Sequence, residues 1–320
     1  MAKQLNIKVF IFSELNTGYR TFIKQSINDT LINVKGEFLL SNKVETNELK
    51  YNHFTSQFEV KNFFQTLFSI INKFPKILEY DDSYIYYKAK AFTKIRTFNY
   101  ILWTFKSYIK TIIYKHYHKK FSKSLAISDQ DIVFFLHYQP ERTSNPLAGS
   151  ARNQLYCIKI LKQTFPEKKI YVKEHPSHLN LKNPHKNRQL RDKRFLDKIL
   201  MISDGIVDKI TSNSKFIVAT LNGTVGLEYS LKGNNVICFG NAWYSFLQNV
   251  HNVKSSQDLT NISFKHHSPD EIKKKLDDTL YSKSAKGSIS NKHEKIGINK
   301  KDKFDDTELL NYVKWYFNIN

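Results

Sequence analysis

Between residues 131 and 244 one pairing recurs four times: a short apolar run, then at once polar, turn-forming residues. Asp131-Ile132-Val133-Phe134-Phe135-Leu136 runs into His137-Tyr138-Gln139-Pro140-Glu141-Arg142, and Tyr171-Val172-Lys173 into Glu174-His175-Pro176. Phe216 to Thr220 precedes Leu221-Asn222-Gly223-Thr224-Val225-Gly226, and Val236 to Phe239 precedes Gly240-Asn241-Ala242-Trp243-Tyr244. Short apolar runs bounded by turn residues and alternating with helical periodicity predict strands of a parallel sheet. Leu155, Ile158 and Leu161 mark one helix, with Ser150 placed to cap it and Pro166 beyond its end. Phe195, Leu196, Ile199 and Leu200 mark a second, and Ile206, Val207 and Ile210 a short third. Val225 to Leu231 is the last, ended by Gly233. The order β-α-β-α-β-α-β predicts a doubly wound, three-layer α/β domain. In such sheets ligands sit outside the carboxyl ends of the strands, so all four polar segments are expected at one edge, in one site.

The 320 residues allow two domains or one large one, and 41% hydrophobic with 14% aromatic content excludes a disordered chain. No apolar run nears the roughly 18 residues that span a bilayer. The run Val9 to Phe12 is too short for a signal peptide. Cys157 and Cys238 both lie in apolar patterns, as expected of reduced, buried thiols in a cytoplasmic protein. The formal charge of +21 fits nucleic acid, an anionic membrane surface or phosphorylated substrates. Lysine far outnumbers arginine, asparagine is abundant and glycine numbers only 10, a pattern that codon bias also produces with lysines as solvated surface. No nucleic-acid module is recognisable, and no nucleic acid partner is expected.

Outside the central region, Ile7 to Phe12 predicts a strand, Tyr19, Phe22, Ile23 and Ile27 a helix, and Glu37 to Leu40 a second strand. Val60, Phe63, Phe64, Leu67, Phe68 and Ile71 share a helix face. From about Phe98 a basic, aromatic helix carries Ile101, Phe105, Tyr108, Ile109 and Ile112 as one stripe, beside Lys106, Lys110, Lys115 and Lys119. Such a helix either lies in a membrane interface or packs on the core with its lysines snorkelling, and the second reading is preferred. Ser268-Pro269-Asp270-Glu271 is a helix start with a capping-box pattern. Leu309, Tyr312, Val313 and Tyr316 form the apolar face of a terminal helix. The resulting division is residues 1–128, a shortened N-terminal acceptor-side domain, α/β or mostly helical; 129–281, a Rossmann-like donor domain; 282–303, a linker; and 304–320, the C-terminal helix.

The chemistry concentrates in the four polar segments. Pro176 biases His175 away from the α conformation where its strand ends, presenting a ring that can donate to a phosphate or act as acid or base. The alternative is a histidine that caps a loop carbonyl. Asn222, Gly223 and Thr224 open a helix whose backbone N–H groups and Thr hydroxyl suit an anion. The Walker A ending is missing there. Glu228, one turn on, is placed for a ribose hydroxyl or is a surface carboxylate. Arg142 suits a bidentate phosphate or carboxylate contact, and Glu141 suits a general base; together they also read as a loop salt bridge. His137, Gln139, Asn241 and Trp243 complete the cleft. The histidine spacings fit no metal site, and Asp129-Gln130-Asp131, at the entry of its strand, reads as structural.

These segments, with Asn145-Pro146-Leu147, Ser177 and Leu227-Glu228, resemble the capsule polysaccharide biosynthesis family, which includes Kdo transferases that extend bacterial capsule linkers. The resemblance covers roughly residues 130 to 250. It implies a GT-B architecture and a glycosyltransferase that moves a sugar from a nucleotide-activated donor, CMP-Kdo or a related CMP-sugar, to a glycan or glycolipid acceptor. It places His175 on the donor phosphate, with Glu174 and Glu141 beside it as catalytic candidates, and implies no cofactor and no metal. Contact with the inner membrane or a capsule assembly complex is expected to be peripheral. Only about 130 residues precede the donor domain, so the acceptor side is shortened. The alternative reading is a non-catalytic capsule assembly or export component that keeps the fold.

Overall fold

A computed structural model describes residues 10–15, 20–25, 31–34, 37–38, 94–139, 148–179, 192–211, 215–286 and 307–319. Two sheets organise them. The larger has seven strands, all parallel: β3 (Ser122–Leu125), β4 (Ile132–Phe135), β5 (Ile170–Lys173), β6 (Gly205–Ile210), β7 (Ile217–Thr220), β8 (Val236–Cys238) and β9 (Val250–Asn252), in the spatial order β3-β6-β5-β4-β7-β8-β9. The smaller is antiparallel and holds β1 (Ile11–Leu15), β2 (Arg20–Lys24) and the two-residue β10 (Ala285–Lys286), with β2 central.

An all-parallel sheet is stable only with both faces covered, and its central strands are then apolar throughout. All four residues of β4, of β7 and the three of β8 are buried in this way. Side chains alternate between two cores. Ile132, Phe134, Ile170, Val172 and Ala219 face α2 (Gln154–Thr164), α3 (Lys193–Ile202), α5 (Ser256–Thr260) and Tyr114 of the long helix α1 (Lys94–Phe121). Val133, Phe135, Val218, Val236 and Cys238 face α4 (Thr224–Ser230), α6 (Pro269–Lys283), α7 (Thr307–Phe317) and the small sheet. Each fully buried aliphatic or aromatic side chain contributes about 1.5–3 kcal/mol, so both faces matter to stability.

Several sequence expectations change here. The predicted helix around Phe22 and Ile23 is strand β2, which pairs with β1 along its length, Phe12 opposite Ile23 and Leu15 opposite Arg20, and with β10 at Thr21 and Arg20; both side chains are buried. The predicted short helix at Ile206, Val207 and Ile210 is strand β6. A triad at i, i+1 and i+4 fits either period, and pairing with β3 and β5 sends Ile206 to one core and Val207 to the other. The first strand begins at Ile11, within the expected stretch, and runs on to Leu15. Glu37 and Phe38 carry no strand; Phe38 is instead tied by its N–H to Ser282 O at 2.8 Å. Asn153 rather than Ser150 caps α2, its side chain accepting from Tyr156 N at 3.3 Å. Ser268 and Pro269 do open α6, but no side-chain cap bond forms there; a capping box forms at Ser255 and Asp258 instead. The expected helix over residues 60–71 lies outside the described residues.

The expected division is crossed at both ends. β3, N-terminal to residue 129, is the edge strand of the large sheet. Residues 282–286 end α6 and form β10, and Leu15, Phe22 and Ile23 share a core with α6 and α7. Arg20 fastens this corner. Its guanidinium is buried, donating to Ser284 Oγ and O at 2.8 and 2.6 Å and to Glu308 Oε1 at 3.1 Å, over the Tyr281 ring. Tyr312 and Tyr316 of α7 are buried and Leu309 and Val313 partly so, the face predicted for the terminal helix. Among the described side chains of α1, Thr111, Tyr114 and His118 are buried, whereas Ile109 and Ile112 of the expected apolar stripe are exposed; Ile101, Phe105 and Tyr108 of that stripe lie outside the described side chains. Among the described residues no helix is long and apolar enough to cross a membrane.

Candidate functional site

The sheet order puts β5, β4, β7 and β8 side by side, so the four polar segments leave four adjacent strands at the same, carboxyl edge. Successive strands are added to one side of β4 up to β6 and to its other side from β7 on, so the order reverses between β4 and β7, the position where a crevice opens in doubly wound sheets. His175 follows β5 and Thr224 follows β7, with only β4 between them, a lateral separation of about 10 Å.

Glu174 is the hub of the β5 end. It is 6% exposed, and its carboxylate accepts from His175 N at 2.7 Å, from His178 Nδ1 at 3.0 Å and from the Tyr114 hydroxyl of α1. Burying a carboxylate is costly unless it is hydrogen-bonded, and three donors meet that need. Enclosed by three donors from its own fold, the Glu174 carboxylate ties this loop to α1.

His175 caps the single 3-10 turn Pro176–His178, its Nδ1 accepting from Ser177 N at 3.1 Å. The neutral ring therefore carries its proton on Nε2. Through Nδ1 the ring caps its own loop. The half-buried ring stands 5.8 Å from Tyr138 and 6.3 Å from His178, and Tyr138 also packs on His178 at 4.8 Å.

His137, expected in the cleft, is a buried brace across the crevice. Its backbone N–H donates to Gln154 Oε1 at 2.6 Å, and Nε2 lies 3.0 Å from Thr220 Oγ1 and accepts from Asn222 N at 3.4 Å. A Cβ on Gly223 would come within 2.9 Å of the same nitrogen, so only glycine lets the β7–α4 turn close on this ring. Asn222 N and Gly226 N are thus used internally, the latter on Gly223 O at 3.0 Å. Thr224, at the start of α4, is exposed.

Tyr244 secures the turn from beneath: fully buried, it donates its hydroxyl to Gly223 O, and a Cβ on Gly226 would collide with that hydroxyl. Burial raises its pKa well above the ordinary tyrosine value. Trp243 packs edge-on against Tyr244 at 5.7 Å, and half-buried Asn241 precedes it. Gln139 donates to Arg152 O at 2.7 Å, and Glu228 is half-buried on α4. Glu141 and Arg142 lie outside the described residues. Asp131 Oδ2 accepts from Ser128 N at 3.2 Å, a turn closure that fits the structural reading of residues 129–131. Sequence reasoning missed Tyr114, His178 and Tyr244 as site-builders. The Glu174–His178 spacing of four was available as a signal; nothing local marks Tyr114, 60 residues before its partner. Among the described residues no cluster of three histidine, cysteine or acidic side chains could hold a metal ion.

Fold and edge together define a doubly wound α/β protein with its site at the carboxyl ends of the central strands. The sequence profile of the capsule polysaccharide biosynthesis protein family matches residues 81–271, more than half of the chain, and the chain belongs to that family. Similar solved structures are Thermosulfurimonas dismutans KpsC, beta Kdo 2,7 transferase, and Thermosulfurimonas dismutans KpsC, beta Kdo 2,4 transferase, each 14% identical. The first match covers 58% of this chain and 56% of that one with a TM-score of 0.33; the second covers 53% of each with a TM-score of 0.24. The chain therefore spans a little over half the length of each. No curated protein sequence matches it.

Proposed function

We propose that this protein is a glycosyltransferase of capsular or surface polysaccharide biosynthesis, with a GT-B-like donor domain that takes a nucleotide-activated sugar. The observation that carries the reading is the convergence of the four motifs on one edge of four adjacent parallel strands. Family membership supports the pathway, and the motif resemblance supports CMP-Kdo as donor and a glycan or glycolipid as acceptor. In this reading His175 Nε2 donates to a donor phosphate oxygen. Glu174, His178 and Tyr114 hold that ring in place, and Thr224 at the start of α4 supplies a second, weaker contact. Glu141 is the general base and Arg142 a phosphate partner. Donor and acceptor are the only small-molecule partners, and the reaction uses no cofactor.

Titration calorimetry with CMP, UDP and GDP tests the donor side. CMP is expected to bind most tightly, and His175→Ala to weaken it by about 10- to 150-fold, the loss of one charged-group hydrogen bond. Unchanged affinity for all three nucleotides in that variant would overturn the reading. The enclosure of Glu174 by donors of its own fold favours a second reading: a capsule assembly component that binds nucleotide without turnover. It predicts CMP binding with no sugar transfer to any capsular acceptor.

A further inference from the structure

We infer that the outer face of α1 docks on an anionic lipid surface. The helix runs 28 residues without an aspartate or glutamate. Its inner face is set by buried Thr111, Tyr114 and His118. Ile109, Ile112 and Ile113 are 40%, 42% and 47% exposed. At about 100° per residue the mean direction of these isoleucines is about 180° from that of the buried three, and each lies at least about 120° from it. They are therefore no fringe of the core but a separate apolar strip on the side facing away from it. Exposed Lys106 borders the strip on one flank and exposed Lys119 on the other, while exposed His116 and Lys120 continue its line toward the C-terminal end of the helix.

Aliphatic side chains flush with a rim of lysines match a bilayer interface, where the isoleucines enter the acyl boundary and the ammonium groups reach anionic headgroups. A net charge of +21 adds long-range attraction to the same surface. The inference does not depend on transferase activity, but it bears on it. The inner face of this helix carries Tyr114, bonded to Glu174 beside His175, so the candidate site lies about one helix diameter, ~10 Å, from the lipid-facing strip. A lipid-linked acceptor would be delivered next to the donor edge.

Co-sedimentation of the full chain with vesicles of phosphatidylcholine, with and without phosphatidylglycerol, tests it without any nucleotide. Binding is expected only to the anionic vesicles and only at low salt, since raising salt to 1 M shortens the screening length to about 3 Å. Lys119→Gln with Lys120→Gln should lower the partition coefficient by about 30-fold. Ile109→Ser with Ile113→Ser should lower it as well, while the circular dichroism spectrum is unchanged. No binding at low salt would overturn the inference, as would equal binding to both vesicle types. A dimer lost in the isoleucine variant, with vesicle binding intact, would assign the strip to a second copy of this chain instead.

Discussion

Tyr114→Phe separates the hydrogen bond that joins α1 to the His175 loop from everything else the tyrosine does. The ring, 1% exposed, keeps its packing; only the O–H that donates to Glu174 is lost. The carboxylate stays buried with two donors, His175 N and His178 Nδ1. A hydrogen bond to a charged group is worth about 1.5–3 kcal/mol. At about 2–4 °C per kcal/mol for domains of this size, the melting temperature should fall by about 3–12 °C. Differential scanning fluorimetry and urea unfolding measure the loss, and the m-value should not change, because the folded surface is the same. Calorimetry with CMP gives the second readout: the affinity should fall, but by less than in His175→Ala, since the ring loses support rather than its donor. A variant as stable as the parent would refute the argument, because it would mean that Glu174 does not need the third donor.

Four other outcomes follow from the site and its surroundings. Glu141→Gln should leave CMP affinity intact and lower sugar transfer by about 10²–10⁴ in a steady-state assay. Gly226→Ala should destabilise by about 1–3 kcal/mol through overpacking against Tyr244, and Tyr244→Phe in the same chain should recover part of that loss in urea titrations. Burial and nearby His267 lower the pKa of His251, so the unfolded chain takes up a proton there first. Its contribution is therefore complete above about pH 6.5 and is lost as pH falls toward the folded value, a slope that His251→Gln should flatten. Burial pushes both thiols, Cys157 and Cys238, up to about 12, so neither should react with iodoacetamide at pH 8 until the protein unfolds.

The central sheet was legible because its strands carry unambiguous signals: Ile132–Phe135 and Ile217–Thr220 are too short and too uniformly apolar for surface helices. From strand order alone followed the gathering of His175, Asn222 and Asn241 at one edge. β6 was not legible because its apolar residues satisfy both periodicities, and only pairing with β3 and β5 decides between them. The same holds of β2: Tyr19, Phe22 and Ile23 fall at helical spacing, and only pairing with β1 and β10 decides for a strand. Roles within the site were least legible. Whether Glu174 or His137 faces substrate depends on contacts from residues 17 to 85 positions away, such as Gln154 and Asn222, and no local pattern reports those.

The fit of Tyr244 under Gly226 and Gly223 also constrains how this loop can change over generations. The two constrain each other: a side chain at 226 meets the phenol, and a smaller residue at 244 leaves the Gly223 carbonyl without that donor. Changes at the two positions, 18 apart in sequence, should therefore be coupled, with the step at 244 coming first. Libraries aimed at new donor preferences would do better to randomise them as a pair than to treat the glycine-rich turn as a free-standing motif.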